Sequence, residues 1–483
     1  MVNKMNVPVS SPILVMKFGG TSVGTAGAMA QAVDIVRGAL PTWPRLVVVV
    51  SALSGVTDRL LDSARQALQG DVSVAMQAAS ELTALHGAML HELVPDQAQN
   101  AAVSGEIGRL VAEFSNLCQA IAVLGEATPR ALDAVVSLGE RMSARLMAAA
   151  LVAAGLPASE LDATACIITD DSYQAAHPDM EATTRAIRQT LLPLLDAGQV
   201  PVVTGFISAT HSGITTTLGR GGSDYTAALL GAALPADEVW IWTDVDGVMT
   251  TDPRLTPDAR SIPELSFREV SELAYFGAKV LHPKTIRPVI EAGIGLRVCN
   301  TFNPAHPGTR LVADSAVPQN GVVKAVTAVR GQSLITVEGR GMLGVPGVAA
   351  RTFGAVANIG ISVPLITQAS SEQSICFAVP VDAAARVIAA LKTTFTHEIE
   401  SRDIDSVWAS PEVAIITVVG SGMRSTPGVA GRIFGALGER LVNVIAIAQG
   451  SSEVAISLVV SSDEVRPAVL TLHDLIINNE WRS

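Results

Sequence analysis

Two glycine-rich loops, some two hundred residues apart, carry the residue types that could do chemistry. One is Lys17-Phe18-Gly19-Gly20-Thr21-Ser22-Val23-Gly24; the other is Leu218-Gly219-Arg220-Gly221-Gly222-Ser223-Asp224. Each lies beside an apolar run and leads into a helical pattern, so each offers backbone N–H groups next to a fixed cation. Glycine lets the backbone approach an anion closely, and a helix N-terminus adds about half a positive charge. This is equipment for holding phosphate oxygens. Neither loop is a Walker A, because no GxxxxGK[ST] occurs. Lys17 falls at the end of the first expected strand, where open α/β sheets place ligand-contacting groups, and its ammonium can bridge transferred and leaving oxygens. Gly19, Gly20 and Gly24 let the backbone close around phosphates, and Thr21 and Ser22 add hydroxyl donors. Taken alone, the loop also reads as a tight strand–helix turn with a solvated lysine. In the second loop an arginine beside three glycines suits a planar, two-point grip on a carboxylate or phosphate. Asp224 falls at the helix start, where capping is its ordinary role. Capping explains the aspartate and leaves the arginine unexplained.

Three further segments bear chemistry. Trp242–Arg254 holds Asp244, Asp246 and Asp252 in nine residues, which invites a metal. The run is too short for an EF-hand loop and lacks its terminal glutamate. A turn that cups a nucleotide, with Arg254 near phosphates, is the more economical reading. Ser137-Leu138-Gly139-Glu140-Arg141 puts Glu140 at a slight break in a long helical stretch, either as a solvated helix residue or as the holder of a substrate ammonium. Lys279, in Phe276–Pro283, is ambiguous, and His282 before a proline reads as structural.

These residues must be positioned by a regular scaffold. Expected strands Ile13–Phe18, Leu46–Ser51, Pro201–Phe206, Val239–Thr243 and Leu296–Val298 alternate with Ala-rich helices such as Ala131–Ala154 and Asp224–Ala233. Valine-dense runs punctuated by helices predict an α/β fold, with an open, mostly parallel sheet sandwiched by helices. Its 483 residues, 49% of them hydrophobic, suffice for more than one core. The formal charge of −12 argues against a nucleic-acid surface and suits small-molecule chemistry. No run of 18 apolar residues appears, and the first twelve residues lack an apolar signal core, so no membrane role and a cytoplasmic setting are expected. Cys118, Cys166, Cys299 and Cys376 are far apart, with no CxxC, and read as reduced structural thiols.

The stretch Asn303–Asn320 reads as a linker, and beyond it the sequence repeats. Residues 337–377 align without gaps to 418–458, with 19 of 41 positions identical. Each copy reads as strand, Gly/Pro loop, helix, strand, turn, strand, and two copies predict pseudo-twofold pairing of small α/β modules. Gly339-Arg340-Gly341-Met342-Leu343-Gly344 satisfies GxGxxG, yet the second copy ends in Ser425, and the strand after the helix (Ile361–Gln368) does not end in the acidic residue a ribose needs. Dinucleotide binding is rejected there.

KFGGTSVG, VVSALSGVTDRL, SLGERMSARL, TTTLGRGGSD, WTDVDGVMTTDPR and FGAKVLHP, in this order, resemble the signature set of aspartate kinases, within the amino-acid kinase superfamily. The tandem repeat resembles their paired ferredoxin-like ACT modules, and ITQASSEQS and IAQGSSE most resemble kinases fused to homoserine dehydrogenase. The chain ends at Ser483, so a monofunctional kinase is expected. The resemblance implies a catalytic domain over 1–305, a linker over 306–325, a first ACT-like domain over 326–402 and a second over 403–483. It implies that Lys17 stabilises the transferring phosphoryl group, that Gly19, Gly20 and Thr21 line its cradle, and that Asp224 orients Lys17. Ser51, Thr57, Phe206 and Ser223 would seat the substrate, Glu140 would take the α-ammonium of L-aspartate and Arg220 its α-carboxylate. Thr243, Asp244, Arg254 and Lys279 would contact ATP. Where many relatives carry tyrosine, this chain has Met249, whose thioether can pack on adenine. Mg²⁺ would be held mainly through ATP phosphates, with no dedicated protein metal site. Gln368 and Gln449, each followed after one residue by Ser-Ser-Glu, match glutamines that contact threonine in fused relatives; a strand-end hydrogen bond is their alternative role. A homodimer or homotetramer through the ACT modules is expected. The competing readings are a kinase for glutamate or an N-acylated analogue, and a non-catalytic amino-acid sensor.

Overall fold

The computed structural model describes residues 11–277, 281, 283–313, 322–342, 345–368, 373–450 and 454–478. The chain divides into two compact units: Met1–Val248 with Pro263–Phe267 and Leu281–Ala313, and Met249–Ile262 with Arg268–Val280 and Asp314–Ser483.

The strands of the first unit are β1 (Ile13–Phe18), β2 (Arg45–Val50), β3 (Ala158–Leu161), β4 (Ile168–Thr169), β5 (Val200–Thr204), β6 (Ile207–Thr210), β7 (Thr215–Thr217), β8 (Glu238–Thr243), β9 (Glu264–Ser266), β10 (Gly295–Asn300) and β11 (Thr309–Val312). Eight of them form one sheet in the order β3-β5-β2-β1-β8-β10-β11-β9, and β4-β6-β7 form a second, small one. In the large sheet only the β10–β11 pairing is antiparallel. β1 and β2 are buried at every residue, as strands covered on both faces must be. The helices are α1 (Gly20–Val23), α2 (Ala26–Ala39), α3 (Val56–Leu68), α4 (Ser73–Leu93), α5 (Gln97–Leu124), α6 (Pro129–Ala153), α7 (Met180–Asp196), α8 (Gly222–Ala233) and α10 (Pro283–Ala292), while α9 (Phe267–Tyr275) belongs, past its first residue, to the second unit. By length and composition α5 could cross a membrane. Instead Ile107, Val111, Phe114, Cys118 and Ile121 on one of its faces pack into the core with Leu46, Val48 and Val50 of β2. α6 is opened by Thr128, whose hydroxyl accepts from Ala131 N at 3.2 Å, with Pro129 at its first turn. It runs unbroken past Glu140, so the expected break there is absent. Gly139 has another reason: a Cβ on it would stand 2.9 Å from Ala52 Cβ, so it lets the segment after β2 lie on the helix.

The second unit holds β12 (Ala325–Glu338), β13 (Ile366–Gln368), β14 (Ser374–Pro380), β15 (Ser406–Ala409), β16 (Val413–Val419), β17 (Ala446–Gln449) and β18 (Ala455–Ser461), with α11 (Val348–Asn358), α12 (Ala384–Thr394), α13 (Thr396–Glu400), α14 (Val429–Glu439) and α15 (Val465–Ile477). The sheet order is β13-β14-β12-β16-β18-β17, with β15 on β12. β12 shifts register between Val329 and Gln332; its first part pairs with β16 and its second with β14. Two α/β modules are present, and they exchange their leading segments. Val322, Val323 and Val326 pack into the core built by β16, β18, α14 and α15, whereas Ile404 and Val407 pack into the core of β14, α11 and α12. The symmetry extends to the glycines that admit these crossings. A Cβ on Gly339 would lie 2.2 Å from Asp403 O, and one on its repeat counterpart Gly420 would lie 2.4 Å from Val322 O.

Two expected boundaries therefore need correction. The stretch 306–325 is not wholly a linker, because β11 within it completes the large sheet; residues 314–321 lie outside the described residues. The 402/403 division does not separate the modules, because each needs apolar side chains from the other repeat to close its core. The glycines of the rejected GxGxxG run admit the backbone of residues 403–404, and Gly344 lies outside the described residues.

Candidate active site

Parallel pairing brings the C-terminal ends of β1, β2, β5 and β8 to one edge: Phe18 stands opposite Val50 and Trp242, and Val50 opposite Thr204. The order reverses at β1, whose neighbours are β2 and β8, and a reversal of this kind opens a crevice for ligands. A cleft of about 370 Å³ lies there. Nine of the expected site residues line it: Lys17, Gly20, Ser51, Thr57, Glu140, Phe206, Arg220, Ser223 and Asp224.

Lys17 is the penultimate residue of β1, and its Nζ lies 2.6 Å from Asp224 Oδ1, both side chains mostly shielded from solvent. Asp224 does not cap α8. The cap position is Gly221, with no side-chain cap bond, so Asp224 in the first turn is available to hold Lys17. Its charge there is also favoured by the helix dipole. Glu140 is 3% exposed, which removes the solvated-helix reading. Its Oε1 accepts from Ala52 N at 3.2 Å, and its Oε2 is buried without a hydrogen-bond partner. Burial pushes its carboxyl up to about 8, against the opposing pull of the Ala52 N–H, its own backbone N–H and the Lys17 ammonium. A buried carboxyl raised for want of a cationic partner, with one oxygen unused beside a cleft, is a receptor for a cationic donor, which would ionise it on binding. Arg220 is exposed at the tip of a turn closed by Gly222 N donating to Gly219 O at 2.9 Å. The turn requires left-handed backbone on both sides of the arginine: φ is 76° at Gly219 and 72° at Gly221. Phe206 has φ 67°, a strained value for an aromatic residue, and its N–H donates to Thr226 Oγ1 of α8 at 3.1 Å. This pins the end of β5 to the helix that carries Asp224.

Other expected residues are placed elsewhere. Gly19 and Thr21 do not line the cleft; Gly19 N donates to Trp242 O at 3.1 Å, beside the loop after β8. Thr243 ends β8, one residue beyond Trp242, which stands opposite Phe18 of the lysine loop, and its Oγ1 donates to Asp244 Oδ1 at 3.1 Å. Asp246 accepts from Asn300 and Asn303. Met249 and Arg254 belong to the second unit, where Met249 bridges to Ser261 and exposed Arg254 pairs with Asp252. Lys279 and His282 lie outside the described residues. Among the described residues no three His, Cys, Asp or Glu side chains are grouped to hold a metal. Gln368 and Gln449 end β13 and β17, the two outer strands of the second unit's sheet, and both are exposed. Sequence reasoning missed Asp133, and it passed over Ala52, Ser54, Gly55 and Asp58 as cleft residues. Gly55, at φ 78° and capping α3, was the available signal for the last four.

Residues 12–300 match the amino acid kinase family, and residues 335–395 and 416–475 match the ACT domain. The chain is 35% identical over 488 residues to Aspartokinase 3, chloroplastic, of Arabidopsis thaliana, covering 99% of this chain and 84% of that protein. It is 37% identical over 467 residues to the chloroplastic bifunctional aspartokinase/homoserine dehydrogenase 1 of Zea mays, covering 95% of this chain. The chain spans about half the length of the bifunctional relatives it matches. The crystal structure of E. coli aspartokinase III in complex with aspartate and ADP superposes with a TM-score of 0.79 at 32% identity, over 96% of this chain and 99% of that one.

Proposed function

The chain belongs to the amino acid kinase family, and from that premise we propose that it is an aspartate kinase, transferring the γ-phosphoryl group of ATP to the β-carboxylate of L-aspartate. The observation that carries this reading is one cleft lined by an Asp-held lysine, a buried carboxylate with an unused oxygen and an arginine at a turn tip. Glu140 Oε2 receives the substrate ammonium, and Arg220 grips the α-carboxylate by its planar fork. The β-carboxylate, with an ordinary pKa of about 4, is ionised at neutral pH and needs no general base. One of its oxygens bonds to the γ-phosphorus as the bond to the β-phosphate oxygen breaks, ADP leaves with that electron pair, and no proton moves. Because two anions meet, the protein's task is positioning and charge neutralisation. Lys17, kept in place by Asp224, supplies a cation at the transferring group, and Gly20, which lines the cleft, lets the backbone approach the phosphates. Mg²⁺ carried in with ATP would supply further charge neutralisation at the phosphates. Thr243 and Asp244, on the same sheet edge, take the nucleotide.

The product, 4-phospho-L-aspartate, is the entry to lysine, threonine and methionine synthesis, and regulation by an end product falls to the ACT modules. Threonine is the assigned effector, at Gln368 and Gln449. Their equivalent places on two exposed outer strands support this assignment, as exposed Ile366 and Ile447 support assembly of cytoplasmic homodimers or homotetramers through the same edges. Such an effector acts only if it binds two states unequally. Gln368→Ala/Gln449→Ala should lose inhibition across a threonine titration, and inhibition equal to wild type would remove the assignment. A hydroxamate assay tests the activity itself: signal with aspartate, and none with glutamate or N-acetylglutamate, is expected. Signal with another acid, or with none of the three, overturns it.

A further inference from the structure

Asp133 is used by nothing in the mechanism, yet it is a 1% exposed carboxylate on α6. Its Oδ2 accepts from Gln174 N at 2.9 Å and Thr217 N at 3.1 Å, and its Oδ1 accepts from Thr217 Oγ1 at 2.8 Å. All three donors belong to the frame of the arginine turn. Thr217 ends β7, three residues before Arg220, and its carbonyl accepts from Ala176 N at 2.9 Å. Gln174 holds φ 70°, and a Cβ on Gly219 would stand 3.0 Å from its carbonyl oxygen, so the 174 turn is the wall against which the loop is set. Arg141 of the same helix donates to Thr215 Oγ1 at 3.3 Å while pairing with Asp162 at 2.6 Å, a second tie between α6 and β7.

Glu140 lies on this helix seven residues beyond Asp133. Seven residues are nearly two full turns, about 10 Å along one helix face. One rigid element therefore carries the carboxylate that faces the cleft and the carboxylate that anchors the arginine's strand. We propose that Asp133 is a positioning residue that fixes Arg220 relative to Glu140, and so sets the span between the two grips on the acceptor's α-ammonium and α-carboxylate. The inference rests on the aspartate reading of the cleft. A buried carboxylate is suited to the role because two acceptor atoms take three neutral donors in fixed directions, whereas an unheld strand end lets a turn-tip side chain wander.

Asp133→Ala and Asp133→Asn, assayed as full-length protein with aspartate and ATP varied separately, test it. An asparagine can keep both N–H groups on its carbonyl oxygen and donate to the Thr217 hydroxyl, so it should preserve the anchor. Asp133→Ala is expected to raise KM for aspartate by about tenfold, leave KM for ATP within about twofold and change kcat little; Asp133→Asn should stay within about threefold of wild type for every constant. Unchanged KM for aspartate in Asp133→Ala, or equal rises for aspartate and ATP, would overturn the positioning role. If Asp133→Ala does not fold, Asp133→Asn decides: wild-type constants support the anchor, and a rise in both KM values refutes it. A wild type silent with aspartate and active with another acid would instead overturn the substrate reading, and the inference with it.

Discussion

The two glycine-rich loops resemble each other in sequence and differ in what their backbones do. The first stays in ordinary backbone: Gly19 has φ −73° and α1 begins at Gly20. There the demand is space, since a Cβ on Gly20 would stand 3.0 Å from Ala52 O. Its cation comes from within the strand, buried and fixed by Asp224. The second loop turns through left-handed backbone twice and lifts its cation into the open. The difference teaches how one motif type serves two tasks. A buried, paired lysine is preorganised for charge that develops during reaction; an exposed arginine on a shaped turn suits a ground-state grip.

The sharpest break of this comparison is kinetic. Lys17→Ala should lower kcat by about a thousandfold or more, as should Asp224→Ala, with the double variant little worse than either because the pair acts as a unit. Single-turnover rates at saturating substrates measure it, and additive losses would separate the two residues. Arg220→Lys keeps the charge and loses the fork, so KM for aspartate should rise by about 10- to 100-fold with kcat nearly intact. Were kcat to fall instead, the contrast between the loops would vanish.

Glu140 lines the same cleft as Lys17 and Arg220 and carries a pH signature. Burial raises its folded carboxyl to about 8 from an ordinary 4.5. The stability it contributes is fully present below the lower value and is lost as pH rises through the upper one. Glu140→Gln should therefore melt progressively higher than wild type as pH goes from 5 to 8, the difference growing by about 3 to 4 kcal/mol, and a pH-independent difference would contradict the raised carboxyl. The smallest effects concern glycine. Gly221→Ala, forced into left-handed backbone, should cost about 1 kcal/mol of stability and raise KM for aspartate. Gly20→Ala should shift KM for ATP instead, because it needs only a few tenths of an ångström from its neighbour.

Motif chemistry was legible in the chain because it is local. A lysine before two glycines, an arginine between glycines and valine-dense strands each state their conformation within a few residues, and β1 spans the expected Ile13–Phe18. Other features were hidden because their causes lie far along the sequence. Glu140 looked like a break in a helix, and its significance comes from Ala52, 88 residues away. Asp133 gave no local signal, since its donors come from residues 174 and 217. The repeat announced two modules, but which strand closes which core depends on the side chains of segments 81 residues apart in the alignment, Val322 and Asp403.

By itself, then, the sequence determined the inventory: alternating strands and helices, two glycine-rich loops that carry Lys17 and Arg220, and a doubled C-terminal module. Tertiary structure decided which groups meet. It paired Lys17 with Asp224, left one oxygen of Glu140 unused at the cleft, and set β11 in the large sheet rather than in a linker. The physical reason is range: backbone preference and hydrophobic periodicity act over a few residues, whereas desolvation and charge pairing depend on whatever the fold packs alongside, and no local pattern encodes that neighbour.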